Sequence, residues 1–334
     1  MQAAWYEEQG AARAVLVVGS MPDPHPGRGE VRIRMAASGI NPGDLKKRED
    51  HFGLGMAYPR VIPHSDGAGL IDEVGPGVSA MRIAQRVWCF GAQSYRPFGT
   101  AAQYTVVPQQ QAVPLAQDVT FETGACLGIP ALTAHRAVHA GGPVVACDVL
   151  VQGGAGGVGS FVCGFARRAG ARVIATVRSD DDDHLARQAG AHDVVRTNAR
   201  ARADIVADVR RLAPEGVHHI VEVAFDANIE FDEQVLAPGG SIATYATGIG
   251  QPTIPFWNLL FKNARLLFMG SDDFPIEQKL AAAGAVNDML EQGWRGLRMD
   301  RTYPLAAIAA AHERAALRPR GRVVLNVEGN CLGP

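Results

Sequence analysis

The sequence predicts an α/β chain in which a β-rich lobe accompanies a doubly wound parallel sheet. Three observations carry this. The stretch Asp148-Val-Leu-Val-Gln-Gly-Gly-Ala-Gly-Gly-Val-Gly159 is a short apolar strand that runs into a glycine cluster and on into a helix. Residues 121–293 alternate strand-like and helix-like segments, the rhythm of a parallel sheet with crossover helices. Residues 1–118 are instead rich in glycine, proline and short alternating runs such as Glu30-Val-Arg-Ile-Arg-Met35.

In chain order, the alternating runs at 30–35 and 84–90 place strands in the first lobe. The spacing then predicts parallel strands at 149–152, 173–177, 193–196, 219–223, 241–244 and 266–269. Between the first two, Val158, Val162, Phe165 and Ala169 recur at helical spacing, and Ala169-Gly170 ends that helix. The tail returns to strand character at Arg322-Val-Val-Leu-Asn-Val327 and is expected to rejoin the first lobe. The expected division is therefore 1–119 with 294–334 as one domain and 120–293 as the other.

Gly154, Gly156 and Gly159 satisfy G-x-G-x-x-G with a strand before and a helix after, the context that makes the pattern a dinucleotide phosphate cradle. The first glycine is expected to permit the tight turn, the second to admit the pyrophosphate to the backbone, and the third to let helix pack on strand. Ala155, Gly157 and Val158 complete the loop, and the helix behind it offers unpaired N–H groups and a positive dipole end. At the end of the second strand an Asp or Glu would hold a ribose 2′-hydroxyl, whereas an Arg accommodates a 2′-phosphate. Here the residues are Arg178 and Ser179, a guanidinium fork and a hydroxyl, which favour NADPH over NADH. The acidic run Asp180 to Asp183 reads as the solvated first turn of the next helix, capped by Ser179 or Asp180.

At 334 residues, 47% hydrophobic and net charge −2, the chain is long enough for two cores and lacks the basic clusters of a nucleic-acid or membrane-surface partner. The opening Met1-Gln-Ala-Ala-Trp-Tyr-Glu-Glu has no basic-then-apolar leader pattern, and the uncharged stretch 241–261 is broken by Gly248, Gly250, Pro252 and Pro255. Cys89, Cys126, Cys147, Cys163 and Cys331 are odd in number and scattered, which reads as reduced thiols in a cytoplasmic protein.

Five stretches occur in order at family separations: Gly39-Ile-Asn-Pro-Gly-Asp44, Ile62-Pro-His-Ser-Asp-Gly-Ala-Gly69, Gly128-Ile-Pro-Ala-Leu-Thr-Ala-His-Arg136, the 153–159 loop and Leu236-Ala-Pro-Gly-Gly240. With these motifs the chain resembles the zinc-independent, zeta-crystallin-like quinone oxidoreductases of the medium-chain dehydrogenase/reductase superfamily over nearly its whole length. The resemblance implies a GroES-like catalytic domain, a Rossmann domain, NADPH as hydride donor, a quinone or enone as acceptor, and a homodimer. Where zinc-dependent relatives carry ligands, the matching positions are Asn41, Ser65 and Ile129, which supply no metal set. His64 falls one residue before such a position and reads as a loop histidine hydrogen-bonded locally.

Asn41 is the first candidate for a donor to the developing oxyanion, though an amide before Pro42 reads equally as a turn former. Lys46 matches the place of a family tyrosine and reads alternatively as part of a solvated face. Strand ends facing a dinucleotide are expected at Val223-Ala224, at Tyr245, Ala246 and Thr247, and at Phe268, Met269 and Gly270. By the resemblance Asn228 lies near the adenosine side, and Thr197 stands where relatives carry an aromatic or histidine over the adenine ribose. Tyr95, Phe98, Phe256, Trp257 and Phe274 are candidates for the acceptor pocket or for core. Three alternatives remain at this level: an enone or enoyl reductase of the same fold, a zinc alcohol dehydrogenase, and a non-catalytic NADPH-binding protein.

Overall fold

The computed structural model describes residues 1–327, so Cys331 lies outside the described residues. The described residues divide into two compact units, one of residues 1–130, 279–287 and 298–327 and the other of residues 131–278 and 288–297. Three short segments sit on the other side of the expected division, and each for a visible reason. In residues 120–130 the Ile129 N–H donates to Asp66 at 2.8 Å. Within 279–287, Asn287 accepts from the Trp88 indole at 3.1 Å and donates to the Pro114 carbonyl at 2.9 Å. Within 294–297, Trp294 stacks on Phe161 at 4.8 Å and donates to the Ala189 carbonyl at 2.9 Å.

The first unit is built on a seven-stranded sheet. Its path runs Met299–Pro304, Arg322–Asn326, Glu30–Gly39, Asp66–Val74, Arg86–Cys89, Ala112–Pro114, with Tyr104–Pro108 paired on Glu30–Gly39. The tail strand Arg322–Asn326 lies antiparallel to Glu30–Gly39, pairing Val324 with Gly39. Alternation in 30–35 puts Val31, Ile33 and Met35 into the core, with Ile62, Ile71, Val87 and Leu325. From Ala36 to Gly39 alternation stops and every residue is buried. The reason is a backbone crossing: a Cβ at Gly39 would lie 1.9 Å from the Ala125 carbonyl oxygen.

The second unit is a six-stranded, wholly parallel sheet. Its order is Asp193–Arg196, Arg172–Val177, Asp148–Val151, Val217–Glu222, Leu236–Thr244, Arg265–Phe268. Counted along the chain this is 3-2-1-4-5-6, the doubly wound order whose reversal point takes a dinucleotide. Near-continuous apolar runs such as Val149-Leu-Val151 are fully buried, as strands covered on both faces require. Leu150, Ile174, Ile220 and Ile242 pack with Phe225 and Ile229 from the helix Phe225–Val235. Among the described residues no helix is long and apolar enough to cross a membrane, and Cys89, Cys126, Cys147 and Cys163 are free thiols.

The crossing at Gly39 gives a stability test. Gly39→Ala should cost about 1–3 kcal/mol, because backbone rather than a flexible side chain blocks the new methyl. Gly250→Ala, which meets nothing within 4 Å, should change stability by no more than ~0.5 kcal/mol. Thermal unfolding of both variants checks this, and equal midpoints would contradict it.

Candidate nucleotide site and the Asp66 cluster

The glycine loop leaves the strand Asp148–Val151 and ends in the helix Gly157–Arg168. The positive φ that turns the chain is at Gly153 (+69°), not at Gly154 as the motif suggests. Gly154 is needed for packing instead: a Cβ there would lie 2.6 Å from the Ala175 Cβ. Gly159 behaves as expected, since a Cβ would lie 2.1 Å from the Gly153 carbonyl oxygen. Gly156 is the N-cap, so no side chain caps this helix, and its first turn holds no acidic residue. Its first-turn N–H groups, with Ala155, Gly157 and Val158 around them, are left for an anion from outside the chain.

The remaining expected contacts fall along the carboxyl ends of the same sheet. Arg178 follows Arg172–Val177, is exposed, and pairs with no carboxylate among the described residues. Ser179 caps the helix Asp180–Ala189 by accepting from Asp182 N–H at 3.2 Å, which leaves its own O–H to donate. The acidic run is taken up locally: Asp180 pairs with Arg196, and Asp183 with Arg187 at 2.7 Å. Thr197 stands beside Arg178, its N–H and hydroxyl both donating to the Val177 carbonyl at 2.9 and 3.2 Å.

On the other side of the loop lie Tyr245, Ala246 and Thr247 after Leu236–Thr244, then Phe268, Met269 and Gly270 at the sheet edge. The Ala246 carbonyl accepts from Phe225 N–H at 3.1 Å, Thr247 donates to Asp226 at 3.1 Å, and Met269 N–H donates to Thr244 at 3.0 Å. Burial and the Glu222 carboxylate push the Tyr245 phenol up. Asn228 also belongs to this side of the loop. It lies across the Asp148–Val151 strand from Arg178, and its amide donates to Glu222 at 3.0 and 3.1 Å. Six strands at about 4.8 Å spacing make this row roughly 24 Å long, enough for an extended dinucleotide. A recess of about 200 Å³ lined by Pro143, His218, Gly240 and Arg265 lies toward the opposite, amino ends of the strands.

The first unit brings the three positions matched to metal ligands around one carboxylate, Asp66, which sequence reasoning missed. Asp66 Oδ2 accepts from Asn41 Nδ2 at 2.7 Å and from Ile129 N–H at 2.8 Å. Arg322 Nη2 donates to Asn41 Oδ1 at 2.6 Å. Asn41 is 2% exposed, and these two partners fix which way its amide points. Its backbone N–H donates to Asp44 at 2.7 Å as the helix Pro42–Arg48 begins, the geometry of a turn former. Burial pushes Asp66 up to about 7, with Asp44 adding to the rise and Asn41, Ile129 and Arg322 opposing it. Gly128 makes room for this carboxylate, since a Cβ there would lie 2.1 Å from Asp66 Oδ1. Lys46 is half-buried, its ammonium 5.9 Å from the Phe52 ring centroid, and takes no part in the cluster.

His64 is fully buried with φ +76°, and its partners are distant in sequence, not local. Arg48 Nε donates to His312 Nδ1 at 3.3 Å, so His312 carries its hydrogen on Nε2 and donates to His64 Nε2 at 2.9 Å. His64 then donates from Nδ1 to Ser38 at 2.8 Å, Ser38 to Thr100 at 2.7 Å, and Thr100 to the Asp66 carbonyl at 2.7 Å. Burial holds both histidines neutral, His64 lowered to about 3. Of the pocket candidates, Tyr95, Phe98, Phe256 and Trp257 are exposed and Phe274 is half-buried.

Comparison with known proteins agrees with both units. The alcohol dehydrogenase GroES-like domain model matches residues 27–117 and the zinc-binding dehydrogenase model residues 157–282. A quinone oxidoreductase of Rattus norvegicus is 32% identical over 87% of this chain and 86% of its own length. A 2-haloacrylate reductase of a Burkholderia species is 25% identical over 86% and 87%. A mycobacterial protein solved as a complex with NADPH superposes with a TM-score of 0.84 at 26% identity, covering 98% of this chain and all of its own. An uncapped helix behind a glycine loop, an unpaired arginine beside it and a likeness that spans both units lead to one assignment: the chain belongs to the zeta-crystallin-like quinone oxidoreductase family of the medium-chain dehydrogenase/reductase superfamily, an NADPH-binding oxidoreductase.

Proposed function

We propose that this protein is a zinc-independent, cytoplasmic NADPH:quinone oxidoreductase that works as a homodimer. The quinone is supported by the rat relative, and the donor set at Asn41, Ser65 and Ile129 supports independence from zinc, since an amide, a hydroxyl and an aliphatic chain make no catalytic zinc site. Bound NADPH supplies the hydride. The first-turn N–H groups after Gly156 hold its pyrophosphate, and Arg178 with the Ser179 hydroxyl holds the 2′-phosphate. Asn41, turned by Asp66 and polarised by Arg322 on its oxygen, directs its second amide hydrogen to the oxygen on which charge develops. Lys46 has no such placement and is a surface residue in this reading. The Burkholderia relative favours a second acceptor class, an activated alkene, which asks the same of Asn41. For the dimer, the support is the strand Arg265–Phe268, an open edge beside exposed Trp257, Phe261 and Phe268. Free, scattered thiols support the cytoplasm.

NADPH oxidation should proceed with small quinones and be unchanged by a chelator. Alcohol oxidation that a chelator abolishes would reject the reading. Arg178→Ala should weaken NADPH by about tenfold, ~1.4 kcal/mol, and leave NADH unchanged. Fluorescence titration of both cofactors decides, and equal loss for both would move the phosphate contact elsewhere. Asn41→Ala should lower kcat by roughly ten- to a hundredfold with NADPH affinity near wild type. Wild-type turnover would remove Asn41 from the chemistry. Light scattering at micromolar concentration should give a dimer, and Phe261→Asp should shift it toward monomer; a wild-type monomer rejects the assembly.

A further inference from the structure

A buried polar chain runs beneath the reversal point of the parallel sheet, and of the expected nucleotide contacts only Ala224 and Asn228, at its far end, belong to it. At one end the Gly153 N–H donates to Thr176 Oγ1 at 3.0 Å, and Thr176 donates to Gln152 Oε1 at 2.7 Å. That fixes the Gln152 amide, whose Nε2 donates to Asp232 Oδ1 at 2.8 Å. Asp232 and Glu222 are both 0% exposed and in hydrogen-bond contact with each other. Glu222 then accepts from the Ala224 N–H and from Asn228 Nδ2 at 3.0 Å.

Two carboxylates cannot both be ionised in such a place, and the pattern of donors shows which one keeps its proton. Glu222 accepts from a backbone amide and a side-chain amide, so it is the charged member. Asp232 accepts only from Gln152, and its Oδ2 meets no N–H donor. A proton on Oδ2 gives that atom a partner in Glu222 and completes the chain. Every link is then single-valued, from the Gly153 N–H to the Ala224 N–H, across the two strand ends where the sheet order reverses.

We propose that Asp232, as the neutral acid, is a positioning residue for the nucleotide loop, acting through Gln152 and Thr176 on Gly153. It touches no part of NADPH. Its role is to hold the loop's entry residue and the Ala224–Asn228 turn in one register, so that the turn at Gly153 and the free N–H groups beyond it are set before the cofactor arrives. The inference rests on the 153–159 segment being the nucleotide loop.

Burial is the main cause that raises both carboxyl groups, with Glu222's charge next for Asp232. The folded pair therefore holds a proton that the unfolded chain has released at neutral pH, and loses it only as pH rises through the raised value. The other titratable group facing the pair is Tyr245, whose phenol Glu222 pushes up. Asp226, on the same helix as Asp232, is engaged by the Gly248 N–H and Thr247, and Glu233 pairs with Lys262 at 3.1 Å. Alkaline pH should thus open the pair by charge repulsion and loosen the loop.

The test is the NADPH dissociation constant measured from neutral to alkaline pH on the intact protein. Wild type should weaken on the alkaline side. Asp232→Asn, whose amide still accepts from Gln152 and donates to Glu222, should bind as wild type at neutral pH and lose the alkaline limb. Thr176→Val, which cuts the chain without touching either carboxyl, should weaken NADPH by about tenfold at neutral pH and be insensitive to the further rise. An unchanged limb in Asp232→Asn, no limb in wild type, or wild-type affinity in Thr176→Val would each overturn the proposal. Gly156→Val separates the two readings: if it weakens NADPH while Thr176→Val does not, the positioning role alone fails. If neither variant weakens NADPH, the loop assignment fails with it.

Discussion

A β-carbon at Gly159 would collide with the Gly153 carbonyl oxygen, and its absence is what allows the helix Gly157–Arg168 to pack close against the turn that leaves the strand Asp148–Val151. From that close approach the rest of the nucleotide-binding unit follows. The helix presents its N-terminus at the carboxyl edge of the sheet, and Gly156 in the capping position leaves the first N–H groups without a side-chain acceptor. An uncapped, unpaired helix start is costly in isolation, and a phosphate is the group that offsets it. Arg178 is held ready by the same geometry, since it continues the strand that pairs directly with the loop's own.

The other unit solves a related problem by other means. Asp66 is buried without direct contact to a cation among the described residues, and its neighbours share the burden: Asn41 and the Ile129 amide donate to it, while Arg322 is joined through Asn41. The chain from Arg48 through His312, His64, Ser38 and Thr100 ends on the same residue's backbone carbonyl. Each link has one possible direction, so the loop carrying Ser65 and Asp66 is held in a single arrangement despite the positive φ at His64. A network of this kind makes an amide such as Asn41 point one way, which a flexible loop asparagine does not.

The parallel sheet was legible because buried strands and crossover helices differ in period, and the strand positions read from the residues lie within a few places of those observed. The glycine pattern identified the loop but mistook which glycine turns, because G-x-G-x-x-G does not register the additional Gly153 with its positive φ. The side on which Asn228 lies was not legible, because a position in sequence does not say on which side of the first strand the chain returns; strand order does. The residues that escaped altogether, Asp66, Arg322, Gln152, Glu222 and Asp232, share one property. Each is a buried polar side chain, and except at Glu222, whose partners Ala224 and Asn228 are close by, a partner lies far away in sequence, 24 residues for Gln152–Thr176 and 281 for Asn41–Arg322. The available signal was a carboxylate at the terminal position of a strand, as at Glu222 and Asp66.

The proposed path of NADPH follows the carboxyl edge of the parallel sheet, from Arg178 across the 153–159 loop to Gly270. Amide hydrogen exchange with and without NADPH addresses it most directly. Added protection is expected in the 153–160 segment, at 178–179, at 223–228, at 245–247 and at 268–270. Protection confined to the amino-end recess around Pro143, His218 and Gly240, with the glycine loop unchanged, would contradict it.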